Sequence, residues 1–306
     1  MYLEPLIIIS AAAGITAVLL ASRFYRSCPG SKEIGRPLDF LVSEESLSEE
    51  SENRLMKIPV DEFCRDFVDR EFEITPAMEK ALGNFFKRTG RWQELVGLLN
   101  DDDPEHRASA AETLGRLRIT QAADSLLEVM ADKKEAVRLA ASSGLMRMNT
   151  PEIAEPLAAA LHYPKKWLPA RVAEVLVSLG QDAVPALLRT LPTSSQEVTP
   201  LIIEVLGQIG DSRAVPDLVE LLKHSPFSAV RISAAEALGE IGSEDTVMPL
   251  VDALHDQAWE VRAKAVGSLG RIGTPELMAH LEFAAGDEEW QVRAAAERAL
   301  KCVGAD

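Results

Sequence analysis

The sequence predicts an all-α protein: a right-handed α-solenoid of stacked helical hairpins, preceded by one transmembrane helix and an acidic linker. Three observations lead there. The same residue types recur about every 31 positions between residues 105 and 304. Apolar side chains inside each recurrence follow a helical period twice. Ala and Leu are abundant while aromatic residues make up only 5%, a balance that favours helix over sheet. With 47% hydrophobic residues in 306, the chain can bury a core and is not a disordered acidic tail. Lys and Arg number 32 against 48 Asp and Glu, a formal net charge of -16. Duplex binding draws on Lys and Arg to neutralise phosphates, so no nucleic acid is expected as a partner.

Residues 1–28 form the expected anchor. From Leu6 to Ala21 the chain reads LIIISAAAGITAVLLA, and Phe24 and Tyr25 extend this uncharged run toward the ~20 residues that a spanning helix needs. Glu4 stands where a secretory signal would carry a base, whereas Arg23, Arg26, Lys32 and Arg36 follow the run. Basic flanks stay cytoplasmic, so the amino terminus is expected outside and the solenoid inside. Residues 29–59, with the stretch SEESLSEESE, offer little to pack and are expected to form a flexible, extended tether. Residues 60–306 make the solenoid. Its first part, 60–104, holds an amphipathic helix with Phe63, Phe67 and Val68 at helical spacing, then a divergent first unit in which Leu82-Gly83 precedes Leu95, Leu98 and Leu99.

Residues 105–304 are the clear repeats. Arg107, Arg138, Arg231, Arg262 and Arg293 share one position, with Pro169 and Thr199 in the two remaining slots. Leu114, Leu145, Leu176, Leu206, Leu238, Leu269 and Leu300 mark a second position. Asn149, Gly180, Gly210, Gly242, Gly273 and Gly304 mark a third, where a left-handed residue ends a helix, and Arg118 breaks that series. Within one unit Val230, Ala234, Leu238 and Ile241 line one helix face, and Val247, Leu250, Val251 and Leu254 line the next. Thr150, Asp182, Asp211, Ser243 and Thr274 are N-cap candidates for the second helices, and Pro156, Pro185, Pro216 and Pro249 suit their first turns. Ala234, Ala235 and Gly239 are small enough for close helix approach. One hairpin cannot bury its own apolar stripe, so neighbours must stack.

The word VRxxAAxxLGxxG, carried by Val230 to Gly242 and followed by a short turn and a Leu-rich helix, resembles the HEAT family, specifically its phycobilisome-lyase HEAT-like repeat. The resemblance runs from about Glu105 to Gly304. It implies a scaffold or adaptor that binds a protein partner, a membrane protein included. Its alternative implication is a bilin lyase or isomerase-type enzyme, or a subunit of one. Family members resembling deoxyhypusine hydroxylase hold two irons with His-Glu dipeptides in the first helix. Those positions are Leu139-Ala140, Ile232-Ser233 and Ala263-Lys264 in this chain, so that activity is not implied.

Local chemistry is sparse. There is no phosphate-binding Gly-Lys, and neither GxGxxG, GxSxG nor HExxH occurs. No catalytic residue, cofactor, metal or small-molecule substrate is therefore expected. Cys28, Cys64 and Cys302 are scattered and read as free thiols. His162, His224 and His255 fall at one repeat position near the end of a second helix, where a donor meets the last carbonyls. Asp101, Asp132, Asp256 and Asp287 each precede a repeat Arg by six residues, a pattern expected to tie adjacent turns together. Trp259 and Trp290 are expected to pack. In mid-chain the ladder lapses and aromatic and basic residues cluster: Tyr163, Lys165, Lys166 and Trp167 are the candidate protein-binding residues. The concave side is expected to belong to the second helices, with Glu128, Arg189, Asp217, Glu220, Lys223 and Asp252 exposed on it.

Overall fold

Two helices with facing apolar stripes make the unit of this protein, and each unit passes its remaining apolar side to the next. The computed structural model describes residues 36–42, 44, 46–71, 73–163 and 168–303. Their regular structure is entirely helical. A cap of α1 (Asp39–Val42), α2 (Glu49–Leu55) and α3 (Val60–Asp69) precedes a first hairpin, α4 (Pro76–Thr89) and α5 (Trp92–Leu98). First helices then follow as α6 (Pro104–Arg116), α8 (Glu135–Met148), α10 (Pro169–Leu179), α12 (Thr199–Ile209), α14 (Ser228–Ile241), α16 (Trp259–Ile272) and α18 (Trp290–Val303). Between them lie the shorter second helices α7 (Ala123–Val129), α9 (Ala154–Ala160), α11 (Val184–Thr190), α13 (Val215–His224), α15 (Glu244–Asp252) and α17 (Met278–Ala284).

The repeat leucines Leu114, Leu145, Leu176, Leu206, Leu238 and Leu269 are all at most 1% exposed, which fixes the inward face of every first helix from α6 to α16. Small residues sit where first helices cross. A Cβ on Gly115 would overlap the Gly144 backbone, and one on Gly239 or Gly270 would overlap Ser268 or Ala299. First helices therefore stack backbone to backbone. Ser268 adds a bond across one crossing, its hydroxyl donating to the Ala235 carbonyl at 2.8 Å.

Each first helix from α8 to α16 ends on a residue with positive φ: Asn149, Gly180, Gly210, Gly242 or Gly273. Arg118, which interrupts the series in sequence, keeps the same backbone sign with φ 50. The stack imposes the turn even where the side chain opposes it. Arg118→Gly is accordingly expected to raise stability by about 1 kcal/mol, read as a higher urea midpoint; a lower midpoint would contradict the strain. Of the N-cap candidates, Asp211 caps through its side chain, accepting from the Arg213 amide at 2.9 Å. Thr150, Ser243 and Thr274 adopt extended cap conformations without making that bond. Pro249 lies inside α15 rather than in its first turn, because that helix already begins at Glu244. Glu244 and Asp245 favour the earlier start by meeting the positive end of the helix dipole.

The acidic segment is not a free tether from Leu38 onward. Leu38, Leu41 and Leu55 are 0–2% exposed. The Leu38 amide donates to Asp66 at 2.8 Å, Arg70 bonds both Asp66 and Asp39, and Arg91 donates to the Leu55 and Ile58 carbonyls at 2.6 and 2.9 Å. Arginines of the solenoid offset the segment's charge while its leucines enter the core. Behind it Phe63 stacks on Phe67 with centroids 5.3 Å apart and meets Phe86 at 4.9 Å. Cys64 is buried there, and burial, outweighing the opposing pull of Thr113, pushes its thiol up to about 12. It is a core residue and not a nucleophile.

The membrane expectation is corrected. Among the described residues no helix is long and apolar enough to cross a membrane. The longest have 14 residues, about 21 Å at 1.5 Å per residue, against a hydrocarbon core of about 30 Å. That finding overturns the single-pass, cytoplasm-facing placement. The run from Leu6 to Ala21 and Cys28 lie outside the described residues.

Candidate interaction surface

The repeat arginine is the fourth residue of its helix in α6, α8, α14, α16 and α18. From there one guanidinium nitrogen reaches back to the turn carbonyl six residues earlier, at 2.8 Å to Asp101, Asp132 and Asp287 and at 2.9 Å to Ser225 and Asp256. The other nitrogens reach forward to the next unit. Arg107 grips Asp132 at 2.8 and 3.1 Å, Arg231 grips Asp256 at 2.7 and 2.8 Å, and Arg262 grips Asp287 at 2.8 and 2.9 Å. Each of these aspartates also accepts a backbone N–H two residues on. The expected ladder exists, with a different pairing: the carboxylate binds the arginine of the preceding unit, and the arginine six residues on takes only the main-chain carbonyl.

The arginines are held above their ordinary pKa chiefly by these bonds. For Asp287 the Arg262 bond leads, and the carboxyl lies below its ordinary 3.8. Burial pulls Asp132 and Asp256 upward, but their arginine and amide bonds outweigh it and leave both below 3.8. A depressed folded pKa contributes stability that is complete above the unfolded value and lost as pH falls through the folded one. Asp256→Asn is expected to lose about 2 kcal/mol at pH 7, with a smaller difference from the unmodified chain below pH 4. Urea melts at pH 7, 5 and 3 check this; a difference that grows on acidification would refute the sign.

In mid-chain the clamp lapses. Arg138 turns to Glu135 in its own helix, and Ser194 and Thr199 share a hydroxyl bond at 2.8 Å. Tyr163 is 62% exposed and Leu168 53%. Lys165, Lys166 and Trp167 lie outside the described residues, so of the candidate cluster only Tyr163 is placed.

The histidines of the repeat position have separate neighbours. His224 faces Glu220 at 3.9 Å, while the His255 ring lies 5.1 Å from that of Phe283. Among the described residues no group of three or more His, Cys, Asp or Glu could hold a metal ion. Trp259 packs against the core, whereas Trp290 is 65% exposed, contrary to expectation. Its side of α18 has no succeeding hairpin among the described residues.

An open groove of about 720 Å³ crosses α14, α16 and α18, floored by Ile232, Trp259, Ala263, Gly267 and Ala299. First helices alone line it, and none of the second-helix residues Glu128, Arg189, Asp217, Glu220, Lys223 and Asp252 takes part. Lys264 pairs with Glu236 at 2.8 Å and Arg271 with Glu240 at 4.0 Å. Arg298 donates to the Ala294 carbonyl of its own helix at 3.2 Å. The Glu240 carboxyl is pushed up by burial first, then by Glu236, with Glu204 adding to it. The α14 edge thus carries two carboxylates, each paired with a cation of α16, while Arg298 on α18 makes no ion pair among the described residues. A signal for this was present in the sequence. The position two residues before the repeat leucine reads Glu174, Glu204, Glu236, Gly267, Arg298 in successive units.

A family model described as HEAT repeats matches residues 93–177, 154–237 and 215–301. The chain is 32% identical over 178 residues to a HEAT repeat-containing taxis protein of Halobacterium salinarum, covering 57% of this chain and 41% of the relative. It thus spans about two fifths of that relative's length. Among solved structures, the complex of CpcE and CpcF of phycocyanin lyase from Nostoc sp. PCC7120 is similar at a TM-score of 0.44 and 26% identity, over 48% of this chain and 96% of that one. Human deoxyhypusine hydroxylase is similar at a TM-score of 0.36 and 21% identity, over 82% and 92%.

Proposed function

The chain belongs to the HEAT-repeat family, and from that premise we propose that it is a non-enzymatic scaffold whose first-helix surface docks a protein partner. The observation that carries this reading is the groove across α14, α16 and α18: wide, open, apolar along its floor and charged along its edges. Small-molecule sites enclose most of their ligand, whereas stacked hairpins offer shallow, extended contact. The residue types at Tyr163, Lys165, Lys166 and Trp167, and the exposure of Tyr163, support a second contact on the same partner.

Site-specific photo-crosslinking in the cell of origin tests the reading. A photoreactive residue at position 298 should yield a discrete protein adduct, and one at position 220, on the second-helix side, should not. Absence of a protein adduct from position 298, or an equal yield of that adduct from position 220, would overturn the assignment. So would chromophore attachment or removal by the purified chain when it is supplied with a phycobiliprotein and bilin.

A further inference from the structure

Most glycines inside the first helices are explained by their neighbours. Gly115, Gly144, Gly207, Gly239 and Gly270 each stand where a Cβ would crowd the adjoining unit. Gly267 does not. It lies in the middle of α16, it is exposed, and a Cβ there would meet nothing within 4 Å. The same repeat position carries Glu174, Glu204 and Glu236 in the three preceding units. A helix-interior glycine facing open space weakens its helix with no return inside the fold. What glycine supplies at such a place is bare backbone that another chain can approach.

The surroundings say what kind of chain. Gly267 lies on the groove floor beside Trp259 and Ala263, an apolar surface in an open trough. Across the trough at its level stands Arg298, which makes no ion pair among the described residues, in a chain of net charge -16. Arg271 is only loosely held by Glu240, at 4.0 Å. On the opposite edge Glu236 is already paired with Lys264 and Glu240 loosely with Arg271, the Glu240 carboxyl is held up by burial and by Glu236 and Glu204, and Glu260 lines the trough at the start of α16. The trough therefore favours carboxylates toward α18 and apolar side chains along its floor.

We infer that Gly267 is the contact floor of a peptide-docking groove whose occupant is an acidic, amphipathic segment of a partner protein, with its apolar side chains over Trp259, Ala263 and Gly267 and its carboxylates on Arg298 and Arg271. The inference rests on the scaffold reading and adds the site and the chemistry of the segment.

Fluorescence anisotropy on the full chain tests it with three labelled decapeptides: one of Glu, Leu and Phe, its counterpart with Lys for every Glu, and one of Glu and Ser. The first should bind, its affinity falling with added salt, and the other two should bind at least tenfold more weakly. Gly267→Glu fills the trough and should weaken binding of the first peptide at least tenfold. Its melting temperature should match or exceed that of the unmodified chain, because glutamate is the better helix former and meets open space. Arg298→Glu should also weaken binding about tenfold. Equal binding by Gly267→Glu, a preference for the Lys peptide, or no binding of the Glu, Leu and Phe peptide would overturn the inference. Any of these alongside a protein adduct from position 298 would leave the scaffold reading standing, whereas the absence of that adduct would remove both.

Discussion

Gly115→Val is expected to destabilise the stack by at least about 3 kcal/mol. The added Cβ would overlap the Gly144 backbone. Backbone cannot rotate aside as a side-chain tip can, so α6 and α8 must separate. Separation also lengthens the Arg107–Asp132 pair, which joins the same two units. Because each unit of a solenoid is held only by its neighbours, the damage should stay local and split the unfolding in two. Far-ultraviolet circular dichroism during urea titration should show the amino-terminal units melting first and the carboxy-terminal units near their original midpoint. A single transition at the original midpoint would show that the crossing is looser than described.

Phe67→Ala is expected to cost about 3–5 kcal/mol and to release the cap. Its ring is 0% exposed, stacks on Phe63 and lies under the Arg116 guanidinium, 4.0 Å from the ring centroid. The Phe67 carbonyl accepts from the same guanidinium at 2.7 Å. Truncation leaves a cavity beside the buried Arg116 guanidinium, which keeps its Glu79 partner. Hydrogen exchange should accelerate across residues 38–69 while α14, α16 and α18 keep their protection. Unchanged exchange over 38–69 would mean that the cap is held by its ion pairs instead, those of Arg70 and Arg88 with Asp39, Asp66 and Glu52.

The repeat was legible because a spacing near 31 acts on three kinds of position at once: a buried leucine, a turn residue and a charged clamp. The direction of the clamp was not. Asp132 lies six residues before Arg138 and twenty-five after Arg107, and only stacking decides that its carboxylate goes to Arg107. The cap was hidden for a related reason. Leu38, Leu41 and Leu55 are diluted among acids, and the groups that hold the segment lie far along the chain: Arg70 and Arg88 pair with its acids, and Arg91 takes its carbonyls. Arg118 shows the limit of reading turns from residue type, since its neighbours impose a backbone that arginine itself disfavours. The groove left a trace in the row from Glu174 to Arg298. That Gly267 faces empty space, while Gly239 and Gly270 do not, emerges only once adjoining helices are placed.

The inter-unit arginine–aspartate grip is unevenly placed along the stack. It is present between α6 and α8 and again from α14 to α18, and it is missing between, where Arg138 folds onto its own helix and Ser194 and Thr199 share one hydroxyl bond. In that stretch adjoining units are joined by other contacts: Arg171 with Glu135, Arg189 with Glu155, and the Arg213 guanidinium on the Gln181 carbonyl. These contacts lack the two-pronged aspartate grip, so the stack is expected to flex most readily between α8 and α14.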